Sequence, residues 1–144
     1  MAAAYEVLFK KRREKIEPNH RYPRTLFILL FLAFTTAILF WVAGFTAFTA
    51  STIAMALAAL IMFFYRNDLL VAGFISGILM AIISLAVYIP IVLLWPQWVE
   101  TTYFLNHLSG ILVFGVPIEE FIFWFLAGLI FGPLYEYREQ ERFR

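Results

Sequence analysis

The stretch Leu69–Leu94, LLVAGFISGILMAIISLAVYIPIVLL, contains no charged residue. A helix rises about 1.5 Å per residue and the hydrocarbon core of a bilayer is about 30 Å thick, so an apolar run of roughly 18 residues or more reads as a membrane-spanning helix. Working back from this run, the triplet Arg66-Asn67-Asp68 marks a tight hydrophilic turn, and a second apolar run covers about Phe48–Tyr65. A third, about Thr25–Ala43, lies ahead of Gly44 and a polar turn through Thr49. Working forward, Pro90 stands near the far end of the first run and Pro96 beyond it. The polar loop 96–107 (PQWVETTYFLNH) follows, then a last apolar run, about Leu108–Phe131, closed by Pro133.

This pattern predicts an all-α integral membrane protein, a four-transmembrane-helix bundle over residues 25–133. A basic N-terminal segment, 1–24, precedes it and a charged tail, 134–144, follows it. Composition agrees, because 63% of the 144 residues are hydrophobic and only 15% are charged. A soluble domain of this size needs more polar surface than that. There is no cysteine, so disulfides and thiolate chemistry are excluded. A net charge of +1 gives no footprint for nucleic acid, and two histidines far apart with one glutamate pair form no metal-ligand set. No cofactor is expected. No small-residue cleavage site follows the first apolar run, which is therefore expected to stay in the membrane.

Charge distribution orients the bundle. Lys and Arg concentrate on the cytoplasmic side of membrane proteins. With the N-terminus inside, segments 1–24, 66–68 and 134–144 hold seven, one and three of them, which is every Lys and Arg in the chain. Both termini are thus expected in the cytoplasm, at a cytoplasmic membrane of prokaryotic type. Aromatic belts agree, with Trp41, Trp95, Trp98 and Tyr103 near outer ends and Tyr22, Tyr65, Tyr135 and Tyr137 near inner ones. Residues 2–15 read either as an amphipathic helix lying on the lipid surface or as a disordered tail carrying topology charges. Gly73/Gly77, Gly128/Gly132 and Ala54/Ala58 repeat at four-residue spacing, which lets helices approach closely. A dimer through the Gly73/Gly77 face is one expectation from this.

The chemical anomaly is in the last run. Eight of the ten acidic residues lie in aqueous segments, but Glu119 and Glu120 are adjacent within GVPIEEFIFWFLAG. A helix over 108–131 centres near residue 120, which predicts carboxyls near the bilayer midplane. A charge there costs roughly 2.5–3.5 kcal/mol on insertion scales, so intramembrane acids usually face the protein interior and mark function. At least one of the two is expected to hold its proton at neutral pH, since no intramembrane Lys or Arg is available as a partner. Pro117, with Gly115 two positions earlier, should kink or break the fourth helix and start a half-helix after it. Both glutamates then lie in a first turn, where free N–H groups favour negative charge. Successive side chains point about 100° apart, so one carboxyl can face a cavity while the other braces against a neighbouring helix. Phe121, Phe123, Trp124 and Phe125 flank the pair, either as packing or as an aromatic wall that stabilises a cation. Hydroxyls such as Thr36, Ser51, Thr52, Ser76, Ser84 and Ser109 more often bond their own helix backbone than a ligand.

The segment Gly115-Val116-Pro117-Ile118-Glu119-Glu120-Phe121-Ile122-Phe123-Trp124 resembles the Pro-x-Glu-Glu-x-x-Phe-aromatic motif of the lycopene cyclase domain, the flavin-independent membrane type. The resemblance covers about residues 66–137 and includes Leu-Ser-Gly-Ile-Leu (108–112) and Pro-Leu-Tyr-Glu-Tyr (133–137). It implies a redox-neutral isomerisation. An acid protonates the terminal double bond of an acyclic carotene or related prenyl lipid, the cation closes a ring, and a proton leaves. By this resemblance Glu119 and Glu120 are the catalytic pair, with Pro117, Phe121, Phe123 and Trp124 against the substrate. Family members use two such domains, which implies a homodimer or a heterodimer with a second cyclase-like domain. The alternatives are a non-enzymatic small membrane subunit, a prenyl-lipid-binding protein, or a proton-coupled transporter. Intramembrane proteases with Glu-Glu-x-x-x-Arg are a poor match, because Trp124 stands where their arginine would be.

Overall fold

The computed structural model describes residues 13–15, 25–102, 109–139 and 141–143. Its elements run in chain order as β1 (Arg13–Lys15), α1 (Thr25–Trp41), α2 (Ala47–Tyr65), a 3-10 turn (Asn67–Leu69) and α3 (Leu70–Leu94). Then follow α4 (Trp98–Thr102), β2 (Leu112–Val113), β3 (Val116–Pro117), α5 (Ile118–Phe131), α6 (Leu134–Glu139) and β4 (Glu141–Phe143). The chain is thus mostly helical. Three segments are long and apolar enough to cross a membrane: Ala47–Tyr65, Asn67–Leu94 and Ile118–Arg138. Helix α1 is apolar but shorter, at 17 residues.

Each turn has a local cause. Thr46 caps α2 by accepting the amide of Thr49 at 3.2 Å, which satisfies one of the free donors at a helix start. The Arg66-Asn67-Asp68 turn forms as expected and is held by a two-pronged ion pair, Arg66 Nε to Asp68 Oδ1 at 2.8 Å and Arg66 Nη2 to Oδ2 at 2.9 Å. Arg66 itself is buried at 2% exposure. The hydrophilicity of the triplet had pointed to water for all three of its residues.

Helix α3 packs most extensively against α5, α1 against α2, and α2 against α5. The core joins Ile28 of α1, Met55, Ala58 and Met62 of α2, and Ala127, Leu129 and Ile130 of α5. Small residues set the α3–α5 spacing. A Cβ placed on Gly128 would lie 2.5 Å from the Ser76 carbonyl oxygen and 2.8 Å from Gly77 Cα. Gly132 meets the Ser76 side chain, and Gly73 meets Phe63 and the Leu129 carbonyl. Gly73 and Gly77 are therefore buried inside one chain, and the expected dimer contact through that face is corrected. Ala54 and Ala58, both fully buried, serve α2 in the same way.

Two further expectations meet different structure. Residues 109–117 form no helix, so the fourth helix is not kinked at Pro117 but begins after it. Strands β2 and β3 pair as Leu112↔Pro117 and Val113↔Val116. The two linking residues, Phe114 and Gly115, have φ of 53° and 80°. That is the backbone of a tight hairpin turn, which glycine adopts without steric penalty. The Ile118 amide extends the ladder to the Ile111 carbonyl at 3.0 Å. At the other end of the chain, residues 134–139 form α6 rather than a free charged tail, with Glu136 and Tyr137 buried. Strand β1 pairs with β4, Arg13↔Phe143 through Lys15↔Glu141, so residues 13–15 and 141–143 lie side by side. Of the amphipathic-helix expectation for 2–15, residues 13–15 are strand and the rest lies outside the described residues, as do Tyr103, Asn106 and His107.

Candidate functional site

Pro117 is the N-cap of α5, at φ −57° and ψ 136°. Its missing N–H costs nothing at a helix start, and its fixed φ suits the entry. Glu119 and Glu120 consequently occupy the first turn of α5. Glu119 sits alongside Thr49 and Thr52, near the start of α2, and both glutamates lie at the start of their helix rather than at the centre that a helix over 108–131 would give them. The insertion cost applicable at a helix centre is lower near helix ends, where water and polar groups are within reach.

The two carboxyls face different surroundings, as their 100° offset requires. Glu119 Oε1 accepts the backbone amide of Ser109 at 2.5 Å, across the base of the hairpin. Its Oε2 is buried and has no hydrogen-bond partner among the described residues. Glu119 lines a cavity of about 150 Å³ together with Phe48, Thr49, Thr52, Ile53, Ser109 and Ile122. Glu120 is 6% exposed. Its Oε2 accepts the indole N–H of Trp124 at 2.9 Å, one helical turn on, and the same N–H lies 3.3 Å from the Tyr88 hydroxyl on α3.

The remaining residues singled out in sequence sort around these two. Trp124 walls two apolar cavities between α3 and α5. One, of about 390 Å³, also meets Met55, Met80, Phe123, Ala127 and Phe131. The other, of about 190 Å³, meets Met80, Ile83, Ser84, Val87 and Tyr88. Phe123 stacks on Phe48 at 5.1 Å between ring centres, which separates the Glu119 cavity from the larger one. Pro117 is buried, whereas Phe121 is half-buried and lines none of these three cavities. Thr36, Ser51, Thr52 and Ser84 donate to carbonyls of their own helices, as hydroxyls in apolar helices commonly do. Among the described residues, no three of His, Cys, Asp and Glu gather as a metal-ligand set.

Sequence reasoning missed Tyr88 and gave Ser109 no role. The signal for Tyr88 was a phenol well inside an apolar run. For Ser109 there was none, because its contact with Glu119 depends on the hairpin.

A chemical site of this kind has a family context. The chain matches the family model for lycopene cyclase over residues 45–138, about two thirds of its length. The match begins at α2, well before the segment in which the motif resemblance was legible. No curated protein and no solved structure matches the chain. With the Pro-x-Glu-Glu segment inside the matched region, this chain belongs to the lycopene cyclase family.

Proposed function

We propose that the protein is a membrane isomerase of carotenoid-cyclase type, acting on a carotenoid or related prenyl lipid by acid-initiated, redox-neutral cyclisation. The observation that carries this reading is the pair Glu119 and Glu120 at the start of an apolar helix, one lining a cavity and the other held by Trp124. A carboxylic acid in apolar surroundings can protonate an alkene that water would not. The aromatic rings of Phe48, Phe123 and Trp124 nearby suit a substrate that becomes a cation. The O–H bond of the acid breaks as a C–H bond forms at the alkene. The neighbouring π bond then closes the ring, and a ring proton returns to the carboxylate pair. No oxidant, reductant or water is consumed.

The fold belongs to this proposal. Helix α1, at 17 residues, falls at the short end of the range for spanning helices. Counting it gives four crossings, and the β1–β4 pairing, which sets residues 13–15 beside 141–143, favours an even number. The Lys/Arg distribution supports a cytoplasmic location for these two segments. A reporter fused after Arg144 should then be active only in the cytoplasm. One domain carries one Pro-x-Glu-Glu, so a homodimer or a heterodimer with a second cyclase-like domain is part of the reading.

The test is expression in cells that accumulate lycopene, alone and with candidate partner domains, followed by pigment analysis. A cyclised product supports the proposal. Unchanged lycopene in both settings, with the protein inserted and folded, favours a second reading, for which the 390 Å³ apolar cavity speaks: a prenyl-lipid-binding protein without turnover.

A further inference from the structure

We infer that Glu119 is the proton donor of the pair, and that the cavity beside it receives the branched five-carbon end of a prenyl chain. Glu120 is a positioning residue held by Trp124. This rests on the acid–base reading above and divides its roles.

Three observations carry it. First, Glu119 is the carboxyl in the wall of a cavity. Among the described residues, Glu120 is not in the wall of this cavity or of the two apolar ones that Trp124 lines. Second, the two oxygens of Glu119 are inequivalent. Oε1 accepts the Ser109 amide, whereas Oε2 is buried without a partner among the described residues. A protonated carboxyl here carries its hydrogen on Oε2, because Oε1 already faces a donor. Once the proton leaves, the Ser109 amide and the start of α5 stabilise the carboxylate that remains. Glu120 likewise accepts an N–H, from Trp124, but is more deeply buried and is not in the wall of the Glu119 cavity. Third, the cavity has the right size and lining. At about 150 Å³ it is of a size that takes a benzene-sized group, and a terminal isoprene unit is of that class; its wall is mixed, with Thr49, Thr52 and Ser109 on the polar side. Phe48, Ile53 and Ile122 supply apolar contact, and Phe48 supplies a ring face for the tertiary cation formed on protonation.

The rival placement is the apolar pair of cavities along α3, which share Met80 and Trp124. They are roomier but present no carboxyl. One set of variants separates the two. Glu119→Gln keeps the acceptor for Ser109 and removes the proton, and should lower lycopene conversion by about 10²–10⁴-fold, the usual weight of general acid catalysis. Glu120→Gln keeps an acceptor for Trp124 and should cost about tenfold, the loss of one charge-assisted contact. Ile53→Trp should block conversion by filling the cavity, and Val87→Trp, facing the rival space, should not.

The assignment is overturned if Glu120→Gln is the inactive variant and Glu119→Gln is not, or if Val87→Trp blocks turnover while Ile53→Trp spares it. Full activity in both Gln variants instead removes the acid–base reading itself. A second measurement does not depend on turnover. A geranylgeranyl chain with a diazirine on its terminal carbons, photolysed in the intact protein in lipid, should label Phe48, Ile53 or Ile122. Labelling confined to Met80, Val87 or Phe131 would overturn the placement.

Discussion

Helix α5 has two halves that differ in how they meet their neighbours. Its second half, from Ala127 to Gly132, is pressed against α3 with backbone on backbone, through Gly128 on Ser76 and Gly77. Its first half, from Ile118 to Trp124, meets its neighbours through longer side chains and carries Glu119 into the wall of one cavity, while the 390 Å³ cavity runs on past Ala127, Gly128 and Gly132 along another face of the second half. Close-packed interiors tolerate little change in volume, whereas cavities leave space for a ligand. The comparison teaches that one face of a short helix can be fixed backbone to backbone while its other faces stay open. The glutamates stand in the first turn, and the backbone contact two to three turns away anchors the helix that carries them.

The anchor can be broken first, with the largest effect. Gly128→Leu drives a side chain into the Ser76 carbonyl and Gly77 Cα, atoms that cannot move aside. Overpacking typically costs 1–3 kcal/mol, and about 3 kcal/mol or more is expected when backbone must shift. Detergent unfolding curves should show this, or the folded species should vanish on gel filtration. Wild-type stability would mean that the second half is not the anchor.

Next comes the turn below it. Asp68→Ala removes the two-pronged partner of Arg66, a guanidinium at 2% exposure. A loss of about 2 kcal/mol is expected, less than for a fully buried pair because Asp68 is itself partly exposed. Asp68→Asn, which keeps one acceptor, should recover part of it in the same assay.

In the hairpin ahead of the helix, Gly115→Ala meets both a φ of 80° and Val92 Cγ1 at 2.7 Å from the added carbon. About 1–2 kcal/mol is expected. Gly44→Ala has a comparable φ but nothing within 4 Å, so it should cost less, and the difference isolates the Val92 contact. If the hairpin positions Ser109, Gly115→Ala should also lower activity by more than its stability loss explains.

The smallest effect is expected for Trp124→Phe. It keeps a ring in the cavity wall but removes the N–H given to Glu120. About 1 kcal/mol of stability should go, with turnover falling more than substrate affinity. A change in affinity alone would make Trp124 a wall residue and nothing more.

Parts of this comparison were legible without coordinates. The apolar runs mark α2 and α3 to within a residue or two, because burial in lipid demands length and hydropathy that side-chain counting reveals. Pro117 followed by Glu119-Glu120 was readable as a helix start, since proline and first-turn acids both suit that position. The hairpin was not. Ser109 to Val116 reads as an apolar continuation of the helix, and only the positive φ at Phe114 and Gly115 turns it back. Gly73 and Gly77 were legible as a close contact, but not as a contact within one chain.

The amino-acid sequence by itself determined that this is an apolar helical chain with two carboxyls where a helix begins, because hydropathy, helix length and proline are properties of neighbouring residues. Only the tertiary structure decided which partner each carboxyl has, Ser109 for Glu119 and Trp124 beside Tyr88 for Glu120. It also decided that the glycines of α3 face α5. The reason is geometric: helix faces carry many candidate contacts, and which of them are made depends on how antiparallel and parallel neighbours are rotated and spaced, which no local pattern encodes.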